Sequence, residues 1–191
     1  PLANLLEGLQ KSSEETLRHS VAVGFVAPMI ARKMNWTRKE TLEKLSLGGL
    51  LHDIGEKELR PETKSKPRAE WTFEEVKEYE SHPYRGMMIL ASLKNIPEDI
   101  IAMVYEHHEN SMGQGFPRKL WDSKVHPLAR VVAVANTFCE LILASNLNPV
   151  PLSPEDAVNH IEKLMGQPFN KEAFNALKKL IHDGLPHKKI A

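Results

Sequence analysis

The chain has 191 residues, 41% of them hydrophobic, enough to bury the core of one domain. Its 25 Lys and Arg balance 25 Asp and Glu, so there is no global basic field of the kind that long nucleic acids select, and an anionic ligand needs a local site. Cys139 is the only cysteine, which excludes an internal disulfide and a thiolate zinc cluster, so any metal chemistry must use nitrogen and oxygen ligands.

The apolar runs Val131 to Ala135 and Leu141 to Ala144 are far too short to span a bilayer, and no signal-peptide pattern opens the chain. A cytoplasmic, soluble protein without membrane insertion is expected. Residues 1–191 read as a single domain cut from a longer protein. Residues 1–11, with the apolar PLANLLEGL, read as a linker or the tail of an upstream helix.

In chain order, three capping boxes place a Ser or Thr three residues before a Glu: Ser12/Glu15, Thr37/Glu40 and Thr72/Glu75. Pro97-Glu98-Asp99 and Pro154-Glu155-Asp156 set proline and acids in a first helical turn, and Asn170 is a candidate cap for a last helix. Helices are predicted near 13–34, 38–53, 73–80, 83–94, 97–109, 126–145, 154–165 and 171–182, with no competing strand signal. Two segments read as irregular, Glu56 to Trp71 and Asn110 to Lys119. Each follows a histidine motif, so either suits a wall or lid of a site.

The chemistry-bearing residues are spread along these helices. His52 and Asp53 are adjacent in LLHDIGE, where one carboxylate can serve one metal or bridge two. His107 and His108 are adjacent at a predicted helix end. Neighbouring helical side chains diverge by about 100 degrees, so both reach one ion only if it lies near that end. Glu15 and His19 share a helix face, and His82 in SHPYRG lies near a helix start. Taken singly, each has a bland reading as a cap, a core histidine or a solvated pair. Read together, five histidines and an aspartate in separate helical motifs match the way helical folds assemble carboxylate and histidine metal sites. Imidazole and carboxylate ligands suit iron first and manganese next.

The ordered series ETLRHS, LLHDIGE, SHPYRG, HHENSMGQGFP and ARVVAVANTF resembles the HD-GYP family, a branch of the HD-domain metal phosphohydrolases. The resemblance implies an all-α fold, an HD-domain helical core with additional C-terminal helices. It implies that His19, His52 and Asp53 hold one divalent metal, and that Asp53 bridges to a second held by His82, His107 and His108. Glu15 matches a position that adds a third metal in some members. Active members hydrolyse cyclic di-GMP to the linear dinucleotide and in some cases to GMP, through attack of a metal-bridging hydroxide on the phosphodiester.

Several positions depart from the family pattern. Asn136 stands where an aspartate closes the first metal site, offering a neutral carbonyl in place of an anion. Glu56 replaces the lysine of HDIGK. There it either repels substrate or turns toward a metal and supplies the missing charge in the catalytic centre. Met112 and Phe116 alter the name motif, while Gly113, Gly115 and Pro117 keep the shape of a loop read as ligand-binding. Ala144 to Pro149, around Ser145, contains no cation where active members carry a basic run. Two functions follow: a cyclic di-GMP phosphodiesterase, or a catalytically impaired metal-binding module that engages another signalling domain such as a diguanylate cyclase. His126, His160, His182 and His187 match no motif and read as surface or capping residues. Trp36, Trp71 and Trp121 are expected at helix ends or under loops, and the basic tail His187 to Lys189 reads as a solvated end.

Overall fold

Apolar residues at helical spacing put one helix at the centre of the protein. A computed structural model describes residues 15–64, 67–146, 148–164 and 167–184. The elements run α1 (Glu15–Lys33), α2 (Lys39–Leu51), a 3-10 turn (Ile54–Glu58), α3 (Pro61–Lys64), a 3-10 turn (Arg68–Glu70), α4 (Phe73–Glu80) and α5 (His82–Ala91). There follow α6 (Glu98–Glu106), a 3-10 turn (Asp122–Lys124), α7 (Pro127–Ile142), α8 (Pro154–Glu162) and α9 (Lys171–Gly184). The fold is all-α, and the extended pairing among the described residues is an isolated bridge between Met112 and Trp121. Val131, Val132, Val134, Phe138 and Ile142 of α7 are buried and Leu141 partly so, as their spacing predicts. Around α7 pack α1, α2, α6, α8 and α9.

Helix ends follow local chemistry. Thr72 and Glu75 form the predicted capping box, with both hydrogen bonds present. Ser153 caps α8 through the amide of Asp156, and Asn170 accepts from the amide of Ala173. The Thr37/Glu40 box does not form. Arg38 is the N-cap residue of α2 and makes no side-chain cap bond, so Thr37 lies one residue too early. Ser12 and the tail His187 to Lys189 lie outside the described residues.

Five helices end two or three residues earlier than predicted: α2 at Leu51 and α6 at Glu106, then α5 at Ala91, α7 at Ile142 and α8 at Glu162. The first two endings release His52-Asp53 and His107-His108 into turns, where adjacent side chains can converge instead of fanning around a helix.

Close approaches of glycine set the distances between these elements. A Cβ on Gly49 of α2 would stand 2.8 Å from the Gly24 backbone of α1, so these helices touch main chain to main chain. A Cβ on Gly55 would lie 2.0 Å from the carbonyl of His82, so the turn after Asp53 is pressed onto the start of α5. The region from 110 to 119 is irregular, as expected, and buried glutamates tie it down. Glu109 accepts from the amides of Arg118 and Leu120, and Glu106 from the amide of His126 and the guanidinium of Arg118.

Candidate metal centre

His19, His52, Asp53, His82, His107 and His108 come from α1, the end of α2, the start of α5 and the end of α6, and they meet at Asp53. The two oxygens of this carboxylate face different groups. Asp53 Oδ2 lies 3.0 Å from His52 Nε2 and 3.6 Å from His19 Nε2. Asp53 Oδ1 lies 3.3 Å from both His82 Nε2 and His107 Nε2. His108 completes the second group, and one ligand atom from each member of either group lies within 4.8 Å of the others.

Local backbone decides which ring nitrogen faces inward. The Nδ1 atoms of His52, His82 and His107 donate to the carbonyls of Gly49, Tyr79 and Val104 at 2.7, 2.7 and 2.9 Å. Each bond spans three residues, so the helix turn preceding each histidine orients its ring and leaves Nε2 with the lone pair. These lone pairs nevertheless approach one another: His19 to His52 and His82 to His107 are each 3.2 Å apart, nitrogen to nitrogen. Acceptors forced together in a buried space require a proton or a cation between them. The buried Asp53 Oδ1 and His108 Nε2 lack hydrogen-bond partners. This donor set, rich in imidazole and sharing one anion, fits divalent metal ions.

The titration behaviour follows from crowding. Burial, then the charge of His52, pushes His19 down to about 4. Burial likewise pushes His107 down to about 4 against the pull of Asp53, and it lowers His108 strongly, with His107 and His82 adding to the effect. Burial alone would lower His52, but the adjacent Asp53 carboxylate outweighs it and lifts the ring to about 9. Burial opposes ionisation of Asp53, yet the charge of His52 and the surrounding imidazoles hold its carboxyl well below the usual range. His19, His107 and His108 are thus held in the neutral form and Asp53 in the ionised form that bind a metal, while His52, lifted to about 9, must give up a proton to do so.

Asn136 belongs to the first group. Its Oδ1 lies 2.8 Å from His19 Nε2 and 3.2 Å from His52 Nε2, and its Nδ2 donates to Glu140 Oε1 at 3.0 Å. Glu56 lines the pocket beside Asp53 but is not among the gathered ligand atoms. Glu15 also lines that pocket, where both its carboxylate oxygens accept from the amide of Asn146 at 3.2 and 3.3 Å.

The glycine-rich loop supports the site from behind. Phe116 stacks on His108 with ring centroids 4.4 Å apart, and its amide donates to the His108 carbonyl. Gly113 has φ +67°, and a Cβ there would reach the indole of Trp121 at 3.1 Å. A Cβ on Gly115 would collide with the His108 carbonyl at 2.3 Å. Phe116 and Gly115 thus pack against the His107-His108 end of α6, Gly113 packs on Trp121, and none of the three lines the pocket described below.

The pocket, about 270 Å³, opens beside His19 and Asp53. Residues singled out by no motif form much of its wall: Arg18, Arg68, Tyr79 and Glu140, together with Trp71. Arg68 lies over the rings of Tyr79 and Trp71, 4.8 and 5.4 Å from their centroids. Cations therefore reach the pocket from α1 and the 68–70 turn, although 144–149 supplies none. Burial raises the carboxyl of Glu140 and the phenol of Tyr79, and the charge of Asp53 adds to both shifts. Helical spacing was the available signal, since Glu140 lies four residues after Asn136 and Tyr79 three before His82.

Among the described residues, the motifless histidines are surface or capping residues, as expected. His126 caps α7 through the amide of Leu128 and pairs with Asp99, while His160 and His182 are exposed. Trp36 packs partly buried against the core. Trp121 is the N-cap residue of the 122–124 turn, a helix end as expected, but it is 66% exposed and stands over Gly113 instead of under the loop.

The chain belongs to the HD-domain family, whose pattern matches residues 4–172. It is 33% identical over 188 residues to the cyclic di-GMP phosphodiesterase of Thermotoga maritima, covering 94% of this chain and 49% of that protein. The cyclic di-GMP phosphodiesterase PA4108 of Pseudomonas aeruginosa is 27% identical over 173 residues, 91% of this chain and 41% of that protein. The chain thus spans about half the length, or less, of these relatives. Among solved structures, Bd1817, an HDG"Y"P protein from Bdellovibrio bacteriovorus, superposes with a TM-score of 0.77 at 21% identity over 92% of this chain and 55% of that one. The PgpH HD domain of L. monocytogenes, solved in complex with cyclic-di-AMP, gives a TM-score of 0.59 at 15% identity over 98% and 99% of the two chains. The two structures establish the HD helical fold. The curated relatives agree with the HD-GYP resemblance carried by the motifs.

Proposed function

We propose that this chain is a metal-dependent phosphodiesterase that opens a cyclic dinucleotide, cyclic di-GMP being the first candidate. The observation that supports this reading best is the division of Asp53, one oxygen toward His19 and His52 and the other toward His82 and His107. Across that division His19 and His52 would hold one divalent ion and His82, His107 and His108 another, iron ahead of manganese, with Asp53 contributing to both. Two cations at such a site supply an activated water near neutral pH and neutralise charge on a phosphodiester.

The chain's own residues bind and orient. The backbone carbonyls of Gly49, Tyr79 and Val104 fix three imidazoles with Nε2 inward. Arg68 and Arg18, on the pocket wall, offer positive charge to a phosphate, and the half-buried ring of Trp71 suits a nucleobase. The curated relatives named above are cyclic di-GMP phosphodiesterases, which favours the same substrate class.

A second reading is favoured by Asn136 and by the acids Glu15, Glu56 and Glu140 on the pocket wall. Here the chain keeps a metal at His82, His107 and His108 but turns over little substrate, and it acts through another signalling domain such as a diguanylate cyclase. Anaerobic purification, metal analysis and incubation with cyclic di-GMP separate the two. Two metals per chain with linear dinucleotide released support the enzyme. One metal or none, with no turnover under iron or manganese, supports the module.

A further inference from the structure

Asn136 and Glu140 lie one turn apart on α7, with the amide nitrogen of the first 3.0 Å from a carboxylate oxygen of the second. We propose that Glu140 is a positioning residue that holds the Asn136 carbonyl toward the His19/His52/Asp53 metal position and lends that neutral ligand part of the charge an aspartate would carry. The inference rests on the metal-site reading above and adds a residue that the ligand motifs do not contain.

An asparagine amide presents nearly the same shape either way round, so something must choose which end faces a metal. Asn136 is 1% exposed, which leaves orientation to its protein neighbours. A carboxylate only accepts, so the NH2 end must face Glu140, and the helix fixes that direction because residues four apart share a face. The carbonyl is thereby directed at His19 and His52, at 2.8 and 3.2 Å. An anionic acceptor strengthens and polarises the bond across the amide, raising the electron density on the metal-facing oxygen. Orienting partners of this kind typically change metal affinity by about 10–100-fold.

The same geometry predicts that restoring the family residue alone fails. Asn136→Asp would set two carboxylates about a hydrogen bond apart in a buried space, where they must repel or hold a proton that competes with the metal. The Asn136→Asp/Glu140→Gln double variant instead exchanges the anion and the amide across the same contact.

The test uses the four proteins of this cycle and Mn²⁺ as the probe. Affinities are read by competition with a chromophoric chelator, and mononuclear and coupled ions are told apart by electron paramagnetic resonance. The His82/His107/His108 position and the melting temperature serve as internal controls for folding. Glu140→Gln is expected to weaken only the weaker Mn²⁺ step, by about 10-fold. Asn136→Asp should give no gain, and the double variant should bind more tightly than either single variant. An unchanged weaker step in Glu140→Gln, or a gain in Asn136→Asp equal to that of the double variant, overturns the proposal while leaving the metal site standing. No Mn²⁺ bound by the wild-type chain at either position overturns the metal-site reading and this proposal together.

Discussion

On the Oδ1 side of Asp53, three imidazoles are enclosed by Tyr79 and Phe116, and His82 and His107 are almost wholly buried. On the Oδ2 side, His19 lines the pocket and keeps some exposure, while His52 and the Asn136 amide are buried behind it. The enclosed half is held by main chain: His82 and His107 donate to carbonyls, and the 110–119 loop packs behind His108. In the open half His52 is oriented by the Gly49 carbonyl in the same way, but Asn136 depends on a side-chain partner, Glu140, and His19 on the approach of α1 to α2. A ring oriented by its own helix turn needs no neighbouring side chain to hold it. Ligands set by a neighbouring side chain change when that side chain does.

The largest effect should come from the one group the halves share. Asp53→Asn removes the anion from both, and metal content should fall by at least about 100-fold in affinity at each position, measured by Mn²⁺ titration. Retention of one full-strength site would mean that the halves do not depend on a common carboxylate.

Next, His82→Ala and His19→Ala should divide the centre. The first should abolish binding at the enclosed position and the second only at the open one, as counted by metal analysis of purified protein. Equal losses at both positions in both variants would erase the contrast between the halves.

Gly49→Ala acts on the frame. Its Cβ would meet the Gly24 backbone at 2.8 Å, so α1 and α2 must separate, at a cost of about 1–3 kcal/mol. For a chain of this size that lowers the melting temperature by roughly 2–4 °C per kcal/mol. The open position should weaken and the enclosed one should not.

The smallest effect lies far from the metal centre. The hydrogen bond from Lys44 holds the carboxyl of Asp99 below its ordinary value against the opposing effect of burial, with the charges of Lys44 and His126 assisting. A depressed carboxyl stabilises the fold above the unfolded-state pKa, and that contribution is lost as the pH falls through the folded value. Asp99 is exposed enough for solvent to screen the pair, so Asp99→Asn should cost no more than about 1 kcal/mol at neutral pH and less in acid. Metal binding should not change, and denaturant melts at two pH values check the sign.

Much of this was legible in the sequence. The apolar spacing of 131–142 marked a buried helix, and the Thr72/Glu75 box, the Pro154-Glu155-Asp156 first turn and Asn170 located three helix starts, because both are interactions between near neighbours in the chain. The ligand types were also plain, since His52-Asp53 and His107-His108 declare imidazole and carboxylate chemistry wherever they fold. Thr37 failed as a cap because a one-residue shift in the helix start decides such a bond, and that start is set by how α2 packs. Only the tertiary structure decided that α2 and α6 stop early enough for adjacent ligands to converge. It alone showed that glycine contacts bring α1 to α2 and press the turn after Asp53 onto α5, and that the two oxygens of Asp53 divide between the groups. Glu140 and Arg68 entered the site for the same reason: which face of a helix or turn looks into a cavity depends on what packs on its other side.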